Sequence, residues 1–276
     1  MSFGYNQPVR TDGCSSWSSA PSHPALGNNE VHVWRLIFHS AEPLAGRLET
    51  FLSPDEREKA RAFYFEDLRS HYRLSHGALR CLLGFYTASL PVHIQISTRP
   101  GGKPYLSGSD LRFNLSHTRR MALLAFSRGR ELGIDVEAIR DLPDALAIAD
   151  RFFSRSEQMA LSGISDAERG SVFFNSWTRK EAYIKALGEG LSHPLDTFDV
   201  SLLPGEPARL VAVHPAPIAA QIQSGSNELE RWQFAALEPG EGHVAALVVE
   251  GRGWSLRCFD AMEFLIRTFS TLKEEG

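Results

Sequence analysis

Gly133-Ile134-Asp135-Val136-Glu137, followed further along by Trp177-Thr178-Arg179-Lys180-Glu181-Ala182-Tyr183-Ile184-Lys185, are the stretches whose reading decides the fold. In the first, branched Ile134 and Val136 alternate with acids. Side chains of a strand point alternately to its two faces, so Ile134 and Val136 face a core while Asp135 and Glu137 share one exposed ridge. Around the second, Phe173, Trp177, Ile184 and Leu187 recur at helical spacing, which predicts a helix with an apolar stripe. Glu181 and Lys185 stand one turn apart on another face. If that helix packs on that strand, Asp135, Glu137 and Glu181 converge, and three carboxylates so placed repel one another unless a cation neutralises them. Oxygen donors without a His or Cys cluster favour magnesium over zinc, and magnesium usually completes its shell with water and substrate phosphates. Phosphate chemistry is therefore expected. Taken singly, each piece has an ordinary explanation: Asp-x-Glu as the solvated face of a strand, and Glu181 with Lys185 as a helix pair worth about 0.2–0.5 kcal/mol.

Composition narrows the classes. The 276 residues suffice for one large domain or two smaller ones with cores of their own. With 43% hydrophobic and 22% charged residues, wholesale disorder is not expected. The formal net charge of -4 leaves no overall basic footprint, so no nucleic-acid partner is expected and any anion site must be a local cluster. Cys14, Cys81 and Cys258 are odd in number, widely spaced and without a CxxC, which predicts no disulfide framework and a reducing, cytoplasmic compartment. No run is long enough to span a bilayer, and the N-terminus has neither a basic n-region nor an apolar h-region, so no membrane partner is expected.

In chain order, residues 1–29 are rich in Ser, Pro, Gly and Asn and read as a flexible or loosely docked tail. A strand is expected over Val31–Phe38 and a short helix over Ala45–Leu52. Ser53-Pro54-Asp55-Glu56 then carries the signs of a capped helix start. Arg57, Lys59 and Arg61 lie on that helix, and a second runs from about Asp67 through Arg73 to about Leu90. Strands are predicted at Val92–Ser97, Leu111–Leu115, Met121–Phe126 and Leu132–Glu137. Arg99-Pro100-Gly101-Gly102-Lys103-Pro104-Tyr105 is a turn whose glycines let backbone approach a ligand and which holds Lys103 before a proline. Phe113-Asn114-Leu115-Ser116-His117 ends a strand in polar groups able to hold a phosphate oxygen, or simply to turn the chain. There is no G-x-S-x-G elbow and no acid spaced for a Ser-His-acid hydrolase.

After the acidic strand come a helix near Pro143–Phe152 and a second capped start, Phe152-Phe153-Ser154-Arg155-Ser156-Glu157, similar to Phe51-Leu52-Ser53-Pro54-Asp55-Glu56. The strand pair at Leu111 and Met121 likewise has a counterpart at Trp232 and His243. This predicts an α+β fold made of a pseudo-twofold pair of similar halves, with the active site at their junction. The expected organisation is a tail at 1–29, a first half at 30–130, a second half at 131–259 carrying the metal-binding acids, and a C-terminal helix at 260–276. Strands are expected over Thr197–Val213, Arg231–Glu238, His243–Glu250 and Trp254–Phe259. Pro204, Pro207, Pro215 and Pro217 obscure the reading between the first two. Two halves in one chain make a single chain sufficient for one site, so a monomer is expected.

Gly101-Gly102-Lys103-Pro104, Phe113 to His117, Gly133 to Glu137, Phe152-Phe153-Ser154, Trp177 to Lys185 and Gly188-Glu189-Gly190-Leu191 together resemble the motifs of the Sfp-type 4′-phosphopantetheinyl transferases, in that family's order over roughly residues 50–200. The resemblance implies transfer of the phosphopantetheine arm of coenzyme A to a serine of an apo acyl, peptidyl or aryl carrier protein, with release of 3′,5′-ADP. It implies Mg2+ held by Asp135, Glu137 and Glu181, with Glu181 or a metal-bound water as the base for the serine and Lys185 a catalytic contact to the phosphates. It assigns Lys59, Arg73, Lys103, Ser116, His117 and Lys185 to the adenosine and phosphate end of coenzyme A. The sequence departs from the family comparison at Glu56, where a lysine is found, and at Leu74, where a hydroxyl residue is found; Arg57 and Arg61 are the nearby cations. A magnesium-dependent nucleotide phosphohydrolase and a non-catalytic carrier-binding module remain as alternatives, the latter disfavoured because Asp135, Glu137, Glu181 and Lys185 are all present.

Overall fold

The structure, a computed structural model, describes residues 14–190, 193–214 and 226–274. The start of the expected tail, Leu191 of the glycine motif, Pro215, Pro217 and the last two residues lie outside the described residues. In chain order the elements are β1 (Ser18–Ser19), β2 (Glu30–Ile37), the short helices α1 (Phe38–Ala41) and α2 (Ala45–Glu49), α3 (Pro54–Ala62), α4 (Glu66–Thr87), β3 (Ile96–Thr98), β4 (Pro104–Leu106), β5 (Leu111–His117), β6 (Met121–Arg128) and β7 (Leu132–Ala138). They continue with α5 (Ala145–Phe152), α6 (Arg155–Ser162), α7 (Asp166–Leu187), β8 (Phe198–Val200), β9 (Leu210–Val213), α8 (Ser226–Arg231), β10 (Trp232–Leu237), β11 (His243–Glu250), β12 (Ser255–Asp260) and α9 (Ala261–Glu274). The fold is α+β.

Two sheets carry the architecture, one in the order β1-β12-β2-β6-β5 and one in the order β10-β11-β7. Their inner faces meet through Val31, Val33, Leu123 and Ala125 on one side and Ile134, Val136, Ala245 and Leu247 on the other. Outside the first sheet, α4 and α9 pack Leu79, Leu82, Phe264 and Leu265 against Trp34, Leu36 and Phe126. Outside the second, α7 packs Ala182, Tyr183 and Ile184 against Phe234, Ala246 and Val248. Covering on both faces explains why β6 reads as an almost unbroken apolar run rather than an alternation.

The similar features of the two parts have the same local cause. Ser53 and Ser154 both form complete capping boxes, with Glu56 and Glu157 returning to the cap backbone, and each box leads toward a 22-residue helix. The hairpins β5–β6 and β10–β11 are both antiparallel.

Several elements differ from expectation. At 92–97 the chain makes a 3-10 turn, Pro91–His93, before the short β3, because Arg80 takes the Pro91 and Ile94 carbonyls that a strand would have paired. The prolines at 204 and 207 leave β8 and β9 as short strands. Ser255–Asp260, read with the second half, runs parallel to β2 in the first sheet, where Phe259 packs on Trp34 at 4.9 Å. A parallel pair needs a long crossover, and the intervening chain supplies it. Residues 14–20 are docked: Cys14 bridges to Leu237, Trp17 donates to the Glu238 carbonyl, and β1 pairs with β12. Although the spacing predicts no disulfide framework, folding brings the sulfurs of Cys14 and Cys258 together across 244 residues. Spacing along the chain carries no information about a contact that folding creates between its two ends. Among the described residues, no helix is long and apolar enough to cross a membrane.

Candidate active site

The site begins with a glycine. A Cβ at Gly133 would overlap the Ala182 carbonyl oxygen and the Ala186 amide, so only glycine lets α7 lie directly on β7. That contact brings the face of α7 bearing Glu181 and Lys185 over the strand face bearing Asp135. The expected exposed ridge is therefore covered: Asp135 is 5% exposed.

The edges of β5 and β7 are joined by side chains. Asn114 Oδ1 accepts from the Ile134 amide at 2.9 Å, and two residues on, Ser116 Oγ accepts from the Val136 amide at 3.4 Å. These residues share a face of β5 because strand side chains repeat every second position. Ser116 Oγ also donates to Asp135 Oδ1 at 2.8 Å, and Lys185 Nζ reaches Ser116 Oγ at 3.1 Å, the Ile134 carbonyl at 3.2 Å and Asp135 Oδ1 at 2.6 Å. Strand β5 of the first sheet, β7 of the second and α7 thus meet at a single ion pair.

Charge accumulates around that pair. Burial, then the nearby Asp135 carboxylate and Glu137, push Glu181 up to about 7 against the opposing pull of Lys185. Burial and Asp135 also raise Glu137, although Arg140 lies 3.6 Å from it. Asp135 Oδ2 is buried without a hydrogen-bond partner. A buried, unsatisfied carboxylate oxygen beside two carboxyls that resist ionisation is an all-oxygen donor set short of positive charge. In donor type and charge it fits a hard divalent cation. As the side chains stand, however, no three such residues are gathered into a ligand cluster among the described residues. Asp135 and Glu137 are near enough to act on Glu181, but their oxygens do not converge on one point, and Asp135 pairs with Lys185 instead. The ammonium group satisfies one oxygen of the buried carboxylate through a charge-assisted bond.

The other expected contacts divide. His117 closes β5 with part of its ring open to solvent, and burial followed by His76, His71 and Lys185 lowers its pKa. Lys59 is exposed on α3 with its ammonium 5.5 Å from the Tyr72 ring centre. Arg73 is held by Glu66 at 2.7 Å and Glu49 at 3.5 Å. Lys103 turns inward to Glu131 Oε2 at 2.7 Å and the Ala186 carbonyl at 2.8 Å. The glycine turn before it serves the fold: a Cβ on Gly101 would overlap the Gly188 carbonyl oxygen at the end of α7, so the close approach is to protein. Leu74 is fully buried and has no face toward a ligand. Glu56 is held at about 2: burial acts upward, but His76, the Ser53 amide and Arg80 outweigh it. Arg57 donates to the Leu52 carbonyl at 2.6 Å.

Sequence reading missed three contributors. Asn114 was legible only as part of a strand-end motif. Glu131 gathers Arg99, Arg112 and Lys103, and its neighbours lower its pKa against the upward push of burial. Lys180 and Glu157 form a buried pair at 2.7 Å, with side-chain exposures of 0% and 1%. The capping box identified Glu157, but nothing local marks Lys180 as its partner.

Comparison with known proteins places these features. The family model for the 4′-phosphopantetheinyl transferase superfamily matches residues 131–248, which include β7 and α7. The chain is 35% identical over 243 residues to the 4′-phosphopantetheinyl transferase HetI of Nostoc sp., covering 87% of this chain and 95% of that protein. It is 36% identical over 157 residues to the 4′-phosphopantetheinyl transferase Sfp of Bacillus subtilis, covering 56% of this chain and 69% of that protein. A third similarity, 28% over 278 residues, is to the 4′-phosphopantetheinyl transferase pptA of Paxillus involutus, covering 88% of this chain and 100% of that protein.

Proposed function

The chain belongs to the 4′-phosphopantetheinyl transferase superfamily, and from that premise we propose that it moves the phosphopantetheine arm of coenzyme A onto a serine hydroxyl of an apo acyl, peptidyl or aryl carrier protein in the cytoplasm. The observation that carries the reading is the meeting of β5, β7 and α7, where Lys185 pairs with Asp135, Asp135 Oδ2 is buried without a partner, and Glu181 lies on the same face of α7 as Lys185. A carboxylate placed there can take the serine proton.

The serine oxygen attacks the β-phosphorus, its proton passes to Glu181, and the bond from that phosphorus to the oxygen of 3′,5′-ADP breaks. Lys185, 27% exposed, has its ammonium beside the carboxyl group of Asp135 and can turn to the non-bridging oxygens or the leaving phosphate. His117 and Lys59 are the groups left to meet the adenosine and phosphate end. Asp135, Glu137 and Glu181 would hold magnesium, which when bound supplies neutralisation of pyrophosphate charge.

Incubation with coenzyme A, magnesium and a panel of apo-carrier proteins tests the reading. A carrier mass gain equal to phosphopantetheine, with stoichiometric 3′,5′-ADP, is expected. Coenzyme A cleavage at the same rate without carrier would replace it with the phosphohydrolase reading, and binding without turnover would replace it with the carrier-binding module.

Because Lys103 already answers Glu131 and the end of α7, its expected role is to hold the fold. Lys103→Met removes one of the three cations on Glu131 and leaves its Oε2 and the Ala186 carbonyl without their donor, costing about 1–3 kcal/mol and several degrees of thermal midpoint. The KM for coenzyme A should change less than about threefold. A normal melting midpoint with a tenfold rise in KM would return Lys103 to ligand binding.

A further inference from the structure

The segment from Cys14 to Pro21 lies across both sheets. Cys14 donates its amide to the Ala236 carbonyl at 3.1 Å and accepts from the Glu238 amide at 2.9 Å, which attaches it to the end of β10 in the second sheet. Four residues later, Ser18 and Ser19 pair with Phe259 and Asp260 of β12, the neighbour of β2 in the first sheet. Between them Trp17 donates its indole N–H to the Glu238 carbonyl at 2.8 Å, and the Arg35 guanidinium lies 4.9 Å from its ring centre. Arg35 itself reaches the Pro239 carbonyl at 2.7 Å and Asp260 at 3.1 Å. The Ala20 carbonyl accepts from Arg267 of α9 at 2.7 Å. One short strap thus ties β10 to β12, and Cys14 is paired with Cys258 of β12, their Cα atoms 6.6 Å apart.

We propose that Cys14 and Cys258 form a reversible thiol–disulfide clasp that fastens this strap across the two sheets when the surrounding thiol pool is oxidised and releases it when the pool is reduced. Cys14 is partly open to solvent whereas Cys258 is 5% exposed, so Cys14 makes the first attack. Its thiolate attacks one sulfur of oxidised glutathione and expels a glutathione thiolate. The Cys258 thiolate then attacks the Cys14 sulfur of the mixed disulfide and expels the second. Two electrons pass from the cysteine pair to glutathione, and the two protons end on the glutathione thiols. Cys81 does not compete: it is buried and its thiol is pushed up to about 12 by that burial.

The full chain, equilibrated with oxidised or with reduced glutathione and then alkylated, should show the pair by mass. Oxidised protein is expected to yield one disulfide-linked peptide joining Cys14 to Cys258, and to melt about 5–15 °C above reduced protein because a very long loop is closed in the unfolded chain. Amide exchange at Cys14 and Glu238 should slow with it. In Cys14→Ser, and separately in Cys258→Ser, the melting gap between the two conditions should vanish. Glutathione carried on Cys14 with no linked peptide, or a melting gap that persists in both variants, would overturn the clasp.

Discussion

Glu181→Gln is expected to lower turnover by about 10²–10⁴-fold while making the metal-free protein more stable at pH 8. The two effects share one origin. The carboxyl is held up to about 7 by burial and by Asp135, so at pH 8 the folded state carries a charge that its surroundings resist. The folded state retains a proton that the unfolded state has already released between about pH 4.5 and 7. Stability therefore falls as pH rises through that window. The full penalty stands above pH 7 and is absent below about 4.5. A shift of this size corresponds to about 3 kcal/mol as an upper bound, since the side chain is only partly buried, or several degrees of melting midpoint. The glutamine variant should show this gain over wild type at pH 8 and lose most of it at pH 5. Adding magnesium should stabilise wild type more than the variant, since a cation among the acids draws the carboxyl back toward its charged form. Coenzyme A affinity, read by titration, should stay within a few-fold. Wild-type turnover by the variant would remove Glu181 from the base role, whereas equal stability at both pH values would contradict the electrostatic account of the site and leave turnover as a separate question.

Lys180→Met should produce the largest loss of stability. The Lys180 ammonium is fully buried, donating to Glu157 at 2.7 Å and to the Leu195 and Phe198 carbonyls at 2.8 and 2.6 Å. Glu157 in turn accepts from the Val200 amide at 2.8 Å and the Ser154 amide at 3.1 Å. Burial lowers the lysine pKa and raises that of the glutamate, and their mutual attraction opposes both shifts. Removing the cation leaves a charge buried alone, at a cost of about 3–5 kcal/mol and roughly 6–20 °C. Turnover should fall as well, because the pair fixes α7 against α6 and β8 one residue before Glu181. The double variant Lys180→Met with Glu157→Leu should recover part of the stability, since an apolar pair of similar size removes the stranded charge but not the need of the Val200 and Ser154 amides for an acceptor. A double variant less stable than Lys180→Met would show that backbone capping by Glu157, rather than its charge pairing, dominates this cluster.

Lys103 turns on the same distinction, between a cation facing a ligand and one answering an internal acid. Residue type alone cannot make that distinction. Lys59 and Lys103 look equivalent in the chain, yet one is exposed on α3 and the other lies against Glu131 and the end of α7.

Local chemistry fixed what repeats over a few residues. The alternation in Gly133 to Glu137 made a strand, the apolar spacing through Trp177 and Ile184 made a helix, and Ser53 and Ser154 each closed a capping box. These properties depend on neighbours in the chain, so they can be read there, and with them the α+β class and the residues able to do chemistry. Tertiary structure decided which of those residues meet. Gly133 sets how closely α7 lies on β7, Asn114 and Ser116 join the two sheets, and Lys185 neutralises Asp135. It also carried β12 into the first sheet and placed Cys258 beside Cys14. Such contacts arise between segments far apart in the chain, where burial and charge are set by whatever folding brings alongside, and no short-range pattern encodes that.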